Sequence, residues 1–253
     1  MKNRKFKLKY DNIFIVFSIF FLGTLFLIYS IRFIYFFSVE KKKPKTIQDA
    51  TFSQLLINND SNLKKDGKKY YYTGKDINNY VLYSGMMFRI VSIENGYIKL
   101  VTDDVTTSLV MAYDQTDYGK TYVNIWLNQI DGEESSGIFS NYLSDKSKYL
   151  VNTKTCIDKV SAYENVKKCE KYNKDYLVGI LSIDEYMNSG ANNGYLNNGS
   201  YFWLSNINDT GNYWYVFDKG GLSDKSKTEV NYHSYAIRPT ITLNKDIYLI
   251  SGD

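Results

Sequence analysis

The sequence is poor in the residues on which most catalytic and metal sites depend. It has one histidine, two cysteines and two prolines among 253 residues. A mechanism that uses histidine would depend on His233 alone, and a structural zinc site, which needs about four nitrogen or sulfur ligands, is excluded. Because prolines are few and 44% of the residues are hydrophobic, the chain is neither collagen-like nor largely disordered.

Common catalytic and nucleotide-binding motifs are also absent. The chain contains no GxGxxG, GxxxxGKS/T, HExxH or GxSxG. We therefore expect no catalytic residues and a protein that is not an enzyme.

The net charge of +4 is the sum of two unlike parts. Residues 1–45 carry ten Lys and Arg against two acidic residues, whereas residues 46–253 carry 21 cations against 25 acids. The body of the chain is therefore mildly acidic, so the overall charge does not indicate a nucleic-acid partner.

A run of nineteen residues without a formal charge, Ile13 to Ile31, follows the basic N-terminus. As a helix it would be about 28 Å long, close to the hydrocarbon thickness of a bilayer. Arg32 and the aromatic residues up to Phe37 are typical of the membrane interface. The sequence predicts a single transmembrane signal anchor with an interfacial belt over residues 13–37, which makes the lipid bilayer a partner.

The anchor divides the chain. A short basic N-terminus before a long folded body favours a cytoplasmic tail at residues 1–12 and an extracytoplasmic body. Residues 38–78 are expected to form a juxtamembrane stalk and residues 79–253 the folded domain. The predicted location is therefore the cell membrane, with a single pass.

Cys156 and Cys169 enclose twelve residues. A bridge between them would stabilise the fold by about 3 kcal/mol through loop closure and suits an extracytoplasmic location. We favour this disulfide; a catalytic thiol paired with His233 is the alternative.

Short apolar runs separated by turn residues predict an antiparallel sheet. Residues 86–93 and 97–102, joined by Asn-Gly, are expected to form a hairpin. Helices are predicted at residues 122–130 and near 138–143.

Towards the C-terminus, residues 177–181 resemble a buried strand, and Ser182 with Glu185 predicts a capped helix that ends near Gly190. Residues 191–200 form a loop rich in Asn and Gly. Three further strands are predicted at residues 201–205, 213–217 and 235–243. Strands and helices do not alternate regularly, which favours an α+β fold.

The body has nineteen lysines but only two arginines, Arg89 and Arg238, both within apolar runs. Because guanidinium makes two-point contacts, we expect both to be structural, holding a buried carboxylate or loop carbonyls; anion binding is the alternative. Trp126 and Trp203, within predicted helix and strand, are expected to be structural as well.

Candidate ligand contacts lie in the loops. Asn206, Asn208 and Asp209 follow a strand and offer oxygen ligands for calcium, although an Asn/Asp turn without an ion is the favoured interpretation. Tyr195 and Trp214 could stack on sugar rings. The abundance of tyrosine also suits an A+T-rich coding sequence, which weakens that indication.

An ordered set of segments resembles a widespread family of Gram-positive surface domains. The segments are YSGMMFRIVSIENGYIKLVTDD (83–104), YVNIWLN (122–128), the cysteine pair, VGILSIDEYMNSG (178–190), YFWLSN (201–206), YWYVF (213–217) and SYAIRPTITLN (234–244). That family is similar to C-type lectin-like domains and to sulfatase-modifying, formylglycine-generating domains. The resemblance covers about residues 79–252.

The resemblance implies a C-type lectin-like domain with an antiparallel sheet and short helices. It suggests a recognition domain that binds a glycan, a wall component or a protein. A structural part of a surface appendage or envelope complex, and a divergent sulfatase-modifying or cell-wall enzyme, are the alternatives. The formylglycine-generating enzymes need a reactive cysteine pair, which the Cys156–Cys169 segment does not match.

Overall fold

The computed structural model describes residues 21–32, 50–113, 115–166, 168–225 and 233–248. The chain divides into two units, Met1–Asp49 and Ala50–Asp253. In the first unit, residues 21–32 are helical. Among the described residues, no helix has both the length and the apolar character needed to cross a membrane. The predicted tail and most of the predicted anchor lie outside the described residues.

The second unit is α+β, with mostly antiparallel sheets and short helices, as the sequence predicted. Its α-helices are α1 (Phe52–Asn59), α2 (Tyr122–Leu127), α3 (Ile138–Tyr142), α4 (Lys146–Tyr149) and α5 (Ile183–Asn188). Its strands are β1 (Leu63–Asp66), β2 (Lys69–Tyr72), β3 (Tyr80–Tyr83), β4 (Met86–Glu94), β5 (Tyr97–Thr102), β6 (Thr107–Val110), β7 (Leu150–Val151), β8 (Thr155–Cys156), β9 (Tyr172–Asn173), β10 (Gly179–Ile180), β11 (Phe202–Ile207), β12 (Tyr213–Val216), β13 (Leu222–Ser223), β14 (Ser234–Ile237) and β15 (Pro239–Leu243).

The larger sheet has eight strands and is antiparallel throughout. Its main path runs β1-β2-β4-β5-β15-β10, with β3 also paired to β4 and β7 to β15. The predicted hairpin is its centre: β4 and β5 pair through an Asn95-Gly96 turn, and both turn residues have positive φ, 52° and 87°. A two-residue turn of this kind requires that conformation, so the prediction is confirmed.

The smaller sheet has the order β13-β12-β11-β14-β6, and only β11 and β14 are parallel among its described strands. The single strand predicted over residues 235–243 is in fact two strands. β14 belongs to the smaller sheet and β15 to the larger one, and the chain changes sheet at Arg238. This change of sheet could not be predicted, because apolar residues continue on both sides of the arginine.

The compact unit begins at Ala50, so it includes residues 50–78 of the segment predicted to be a juxtamembrane stalk. Thr51 and Gln54 form a capping box at the start of α1. β1 and β2 then extend the larger sheet, and the Tyr72 hydroxyl donates to Asp60 at 2.6 Å. The sequence did not predict this strand pair, because the segment KKDGKK (64–69) is typical of an exposed turn and lacks the apolar run of a strand.

The predicted helices are present but short. α2 ends at Leu127 rather than residue 130, since the Asn128 side chain turns to pair with the backbone N–H and carbonyl of Val178. The capping box at the start of α5 is present as predicted, with Glu185 accepting from the Ser182 N–H. Of the strand predicted at residues 177–181, only Gly179–Ile180 pairs as a strand, although Val178 and Leu181 are also fully buried.

Candidate functional site

Two aromatic residues predicted to contact a ligand are part of the core. Tyr195 is buried, and its hydroxyl donates to the Ile90 carbonyl at 2.8 Å. Trp214 is also buried, and its indole N–H donates to the Val160 carbonyl at 3.0 Å. Neither ring presents a free face to a sugar.

The three residues considered for calcium make contacts within the fold. Asn206 Oδ1 accepts from the Ile183 N–H, and Asn208 Oδ1 accepts from the N–H groups of Thr210 and Asn212. Asp209 is exposed in the turn between β11 and β12. Calcium needs about six to eight oxygen ligands, whereas the two asparagine oxygens are already engaged by protein donors.

The two arginines of the body are buried and make several contacts each. Arg238 donates to three backbone carbonyls, those of Thr102, Asp103 and Leu196. Arg89 donates to the side chain of Asn79 and the carbonyl of Ile77, and forms an ion pair with Asp103 at 3.3 Å. These contacts hold loops in place.

The two tryptophans expected to be structural, and the single histidine, pack against other rings. The Trp203 indole N–H donates to the Leu109 carbonyl at 2.8 Å. Trp126 is partly buried, with its ring centroid 5.8 Å from that of Phe139. The His233 ring lies parallel to that of Tyr235, with centroids 5.7 Å apart.

Cys156 and Cys169 form the predicted disulfide, with their Cα atoms 5.9 Å apart. It lies beside the two-stranded sheet of β8 and β9. The Asp158 carboxylate accepts from the N–H groups of Glu170 and Lys171, both at 2.7 Å, and so fixes the two ends of the bridged loop to each other. The same carboxylate lies within 4.8 Å of both sulfurs, but bonded sulfurs offer no thiolate to a metal.

A cavity of about 330 Å³ lies where this bridged hairpin meets the larger sheet. Its floor is a row of neighbouring strand residues, in which Ser92 pairs with Lys99, Lys99 with Thr242 and Thr242 with Val151. The residues around it come from the sheet, the hairpin and α5: Lys69, Ser92, Glu94, Tyr97, Lys99, Val151, Asn152, Lys154, Tyr172, Lys174, Glu185 and Thr242. We call it the lysine cavity, after Lys69, Lys99, Lys154 and Lys174.

A buried ion pair lies at the base of the lysine cavity. The Lys99 ammonium contacts both carboxylate oxygens of Glu185, at 2.7 and 2.9 Å, and donates to the Lys154 carbonyl at 3.0 Å. Both side chains are more than nine-tenths buried. Burial alone would raise the pKa of Glu185, but the charges of Lys99 and Lys69 hold it below its ordinary value. The glutamate therefore stays ionised.

Lys69 adds a second charge beside Glu185. Its Nζ lies 4.0 Å from Glu185 Oε1, beyond hydrogen-bonding distance, and 4.6 Å from the centre of the Tyr71 ring. Burial opposes its charge, yet the neighbouring Glu185 carboxylate raises the pKa of Lys69 above its ordinary value. Burial also raises the pKa of the adjacent Asp184, and the charge of Glu185 raises it further.

The outer part of the cavity is more accessible to solvent. Lys154 forms an ion pair with Glu94 at 2.8 Å, in which both side chains are partly exposed. Lys174 is exposed, and no ion pair of this lysine is found among the described residues. Four lysines against two glutamates leave the lining with a formal charge of +2. The arrangement can attract an anionic group to a preformed recess.

No local sequence pattern predicts this site. One signal was available: Lys99 lies between Ile98 and Leu100 in a strand whose residues are buried on both faces. A lysine there needs a buried partner. The partner, Glu185, is 86 residues away and was assigned only a capping role, so the pair could not be identified from local patterns.

Comparison of the chain with protein-family models, with curated proteins and with solved structures finds no match in any of the three.

Proposed function

We propose that this chain is a membrane-anchored, extracytoplasmic recognition protein that binds its ligand in the lysine cavity without catalysing a reaction. The observation that carries the proposal is the cavity itself. It is built on the central strands of the larger sheet and walled by a disulfide-bridged hairpin. Rigid elements of this kind keep a binding site in shape before the ligand arrives.

The contacts within the cavity support binding rather than catalysis. Its most buried charges, Lys99 and Glu185, neutralise each other. The cysteines are joined in a disulfide, and His233 stacks on Tyr235. The alternative of a catalytic cysteine thiol paired with His233 therefore has no support, because both groups are engaged in these other contacts.

A C-type lectin-like architecture remains part of the proposal. Mostly antiparallel sheets, short helices and a disulfide are compatible with it. Because a fold hosts many functions, the proposed recognition role rests on the cavity and not on this resemblance.

Two observations support the membrane anchor and its orientation. In the helical residues 21–32, large apolar side chains such as Phe26 and Leu22 are 76% and 65% exposed. A lipid environment would cover them. The disulfide suits an oxidising compartment, which supports the proposal that residues 50–253 lie outside the cytoplasm and the basic N-terminus inside.

A binding experiment with the full chain in mild detergent tests the recognition role. We expect retention on isolated cell-wall fragments, or on at least one member of a glycan panel. Since the asparagine oxygens considered for calcium are engaged by protein donors, a chelator should not reduce this retention. Absence of binding to every glycan and wall fraction would contradict the proposal.

A structural part of a surface assembly is the second candidate, and one observation favours it. β3 pairs with β4, and on this strand Leu82 and Tyr80 are 70% and 49% exposed. An exposed apolar edge strand is able to pair with a strand of another chain. Concentration-dependent self-association, abolished by Leu82→Lys, would favour this candidate.

A further inference from the structure

We infer that the lysine cavity binds a phosphate monoester attached to a small polar molecule such as a sugar. The inference rests on the proposed recognition function and names the class of ligand. The lining carries a formal charge of +2, from four lysines and two glutamates. A phosphate monoester carries about −1.5 to −2 charges at neutral pH, so it matches this excess closely.

The four lysines differ in their freedom to bind a ligand. Lys99 donates to Glu185 Oε2 and to the Lys154 carbonyl, and its ammonium lies 2.7 Å from Glu185 Oε1, so three protein acceptors surround it. It therefore fixes the floor of the cavity and is not a ligand contact. Lys69, Lys154 and Lys174 remain as the groups that can contact a phosphate.

Among the described residues, each of these three ammonium groups makes at most one hydrogen bond to a carboxylate, so it keeps N–H bonds for a ligand. Lys69 is 4.0 Å from Glu185, too far for a hydrogen bond. The pair of Lys154 with Glu94 is partly exposed, and pairs of that kind contribute little to stability. Lys174 is exposed at the end of the hairpin. Three separate donors suit the three terminal oxygens of a phosphate better than the two oxygens of a carboxylate.

The rest of the lining suits the uncharged part of the ligand. Tyr97, Tyr172 and Val151 provide aromatic and aliphatic surface beside the lysines. Burial is the main cause of a raised pKa at Tyr172, so its hydroxyl keeps its proton and can donate a hydrogen bond. At about 330 Å³ the cavity has room for more than a phosphate group alone.

Calorimetric titration of the full chain in mild detergent tests this inference with three probes of graded charge: glucose 1-phosphate, glucuronate and glucose. At about pH 7.5 the phosphate is mostly doubly ionised, because its second pKa is near 6. We expect glucose 1-phosphate to bind about tenfold or more tightly than glucuronate, since one further charge-assisted contact is made. Glucose should show no binding. Added salt should weaken the binding of glucose 1-phosphate.

Lysine variants locate the site. Lys69→Met and Lys174→Met should each weaken binding of glucose 1-phosphate by about tenfold, the usual effect of one lost charge-assisted hydrogen bond. Lys219→Met removes the same charge from an exposed turn outside the cavity and should leave the affinity unchanged. Lys174 is exposed, so Lys174→Met is expected to keep its melting temperature even if Lys69→Met lowers it.

Several outcomes would overturn the inference. They are an undetectable affinity for glucose 1-phosphate, equal or tighter binding of glucuronate or glucose, and equal losses in Lys219→Met and Lys174→Met. If the chain still binds to wall fragments or glycans in any of these cases, only the assigned ligand class is wrong. If the chain binds to neither wall fragments nor glycans, the proposed recognition function is wrong as well.

Discussion

Lys99 and Glu185 show how one side chain can be understood only through a distant partner. Each is a charge that the protein interior would normally exclude, and each is tolerated because the other lies at 2.7 Å. The sequence placed Lys99 in a strand and Glu185 in a helix cap, and both assignments are correct. Their contact depends on how the helix packs on the sheet, which neither local pattern contains.

Removing one member of this pair should be costly. Glu185→Gln leaves the Lys99 ammonium buried without a counter-charge, so we expect the free energy of unfolding at neutral pH to fall by about 3 to 5 kcal/mol. Denaturant titration measures the change. As a control, Glu134→Gln at an exposed position should change the free energy of unfolding by less than about 0.5 kcal/mol.

A double variant tests whether the loss of stability in Glu185→Gln comes from the unpaired charge of Lys99. Lys99→Met with Glu185→Gln removes both charges, keeps an acceptor for the Ser182 N–H and should recover most of the loss, because the Lys99 ammonium is no longer buried without a counter-charge. A loss in the double variant as large as that in Glu185→Gln would show that the ion pair is not the source of the effect.

The pH dependence of stability follows from the same carboxylate. The pKa of Glu185 in the folded protein is below its ordinary value, so its stabilising contribution is complete above the unfolded pKa of about 4.3 and is lost as pH falls through the folded value. The difference in unfolding free energy between the natural chain and Glu185→Gln should therefore shrink as pH falls from about 5 towards 3. Asp184, whose pKa is raised, acts in the opposite sense. A difference that stays constant over this range would contradict the assignment.

At the scale of elements, local signals predicted what local interactions determine. The Asn95-Gly96 hairpin and the capping box of α5 both depend on residues within a few positions of each other. The predictions that differed from the structure depended on distant contacts. The Asn128 side chain ends α2 by hydrogen bonding to Val178. Tyr195, predicted to contact a ligand, is instead buried with its hydroxyl donating to the Ile90 carbonyl.

The disulfide-bridged hairpin is the element that can be tested most directly. A double Cys156→Ala and Cys169→Ala variant should lose about 2 to 4 kcal/mol of stability, as expected for a bridge closing a loop of this length. Thermal melting with and without reductant measures it: reductant should lower the melting temperature of the natural chain and leave that of the variant unchanged. Equal melting temperatures for the two chains without reductant would show that the bridge contributes nothing.

At the scale of the whole molecule, positive charge is concentrated in two places. The excess of cations lies in residues 1–45, and the acidic body nevertheless contains a local excess of positive charge in the lysine cavity. The overall net charge of +4 therefore does not describe the local charge of either part. The positive charge of the cavity cannot be located from the sequence, because its lysines come from separate strands and from the hairpin.

The proposed orientation predicts the result of protease treatment of intact cells. A tag at the C-terminus should be removed by external protease, since residues 50–253 are proposed to lie outside the cytoplasm. A tag at the N-terminus should be protected until the cells are permeabilised. Protection of the C-terminal tag on intact cells, with removal after lysis, would reverse the proposed orientation.

The change of sheet at Arg238 has a consequence for cooperativity. The consecutive strands β14 and β15 belong to different sheets, and the Arg238 guanidinium between them donates to the carbonyls of Thr102, the last residue of β5, and Asp103. Because the two sheets are joined by this connection and by the hydrogen bonds of Arg238, we expect them to unfold together and not as separate folding units. In native-state hydrogen exchange, the slowest amides of β5 and of β11 should report the same opening free energy, that of global unfolding.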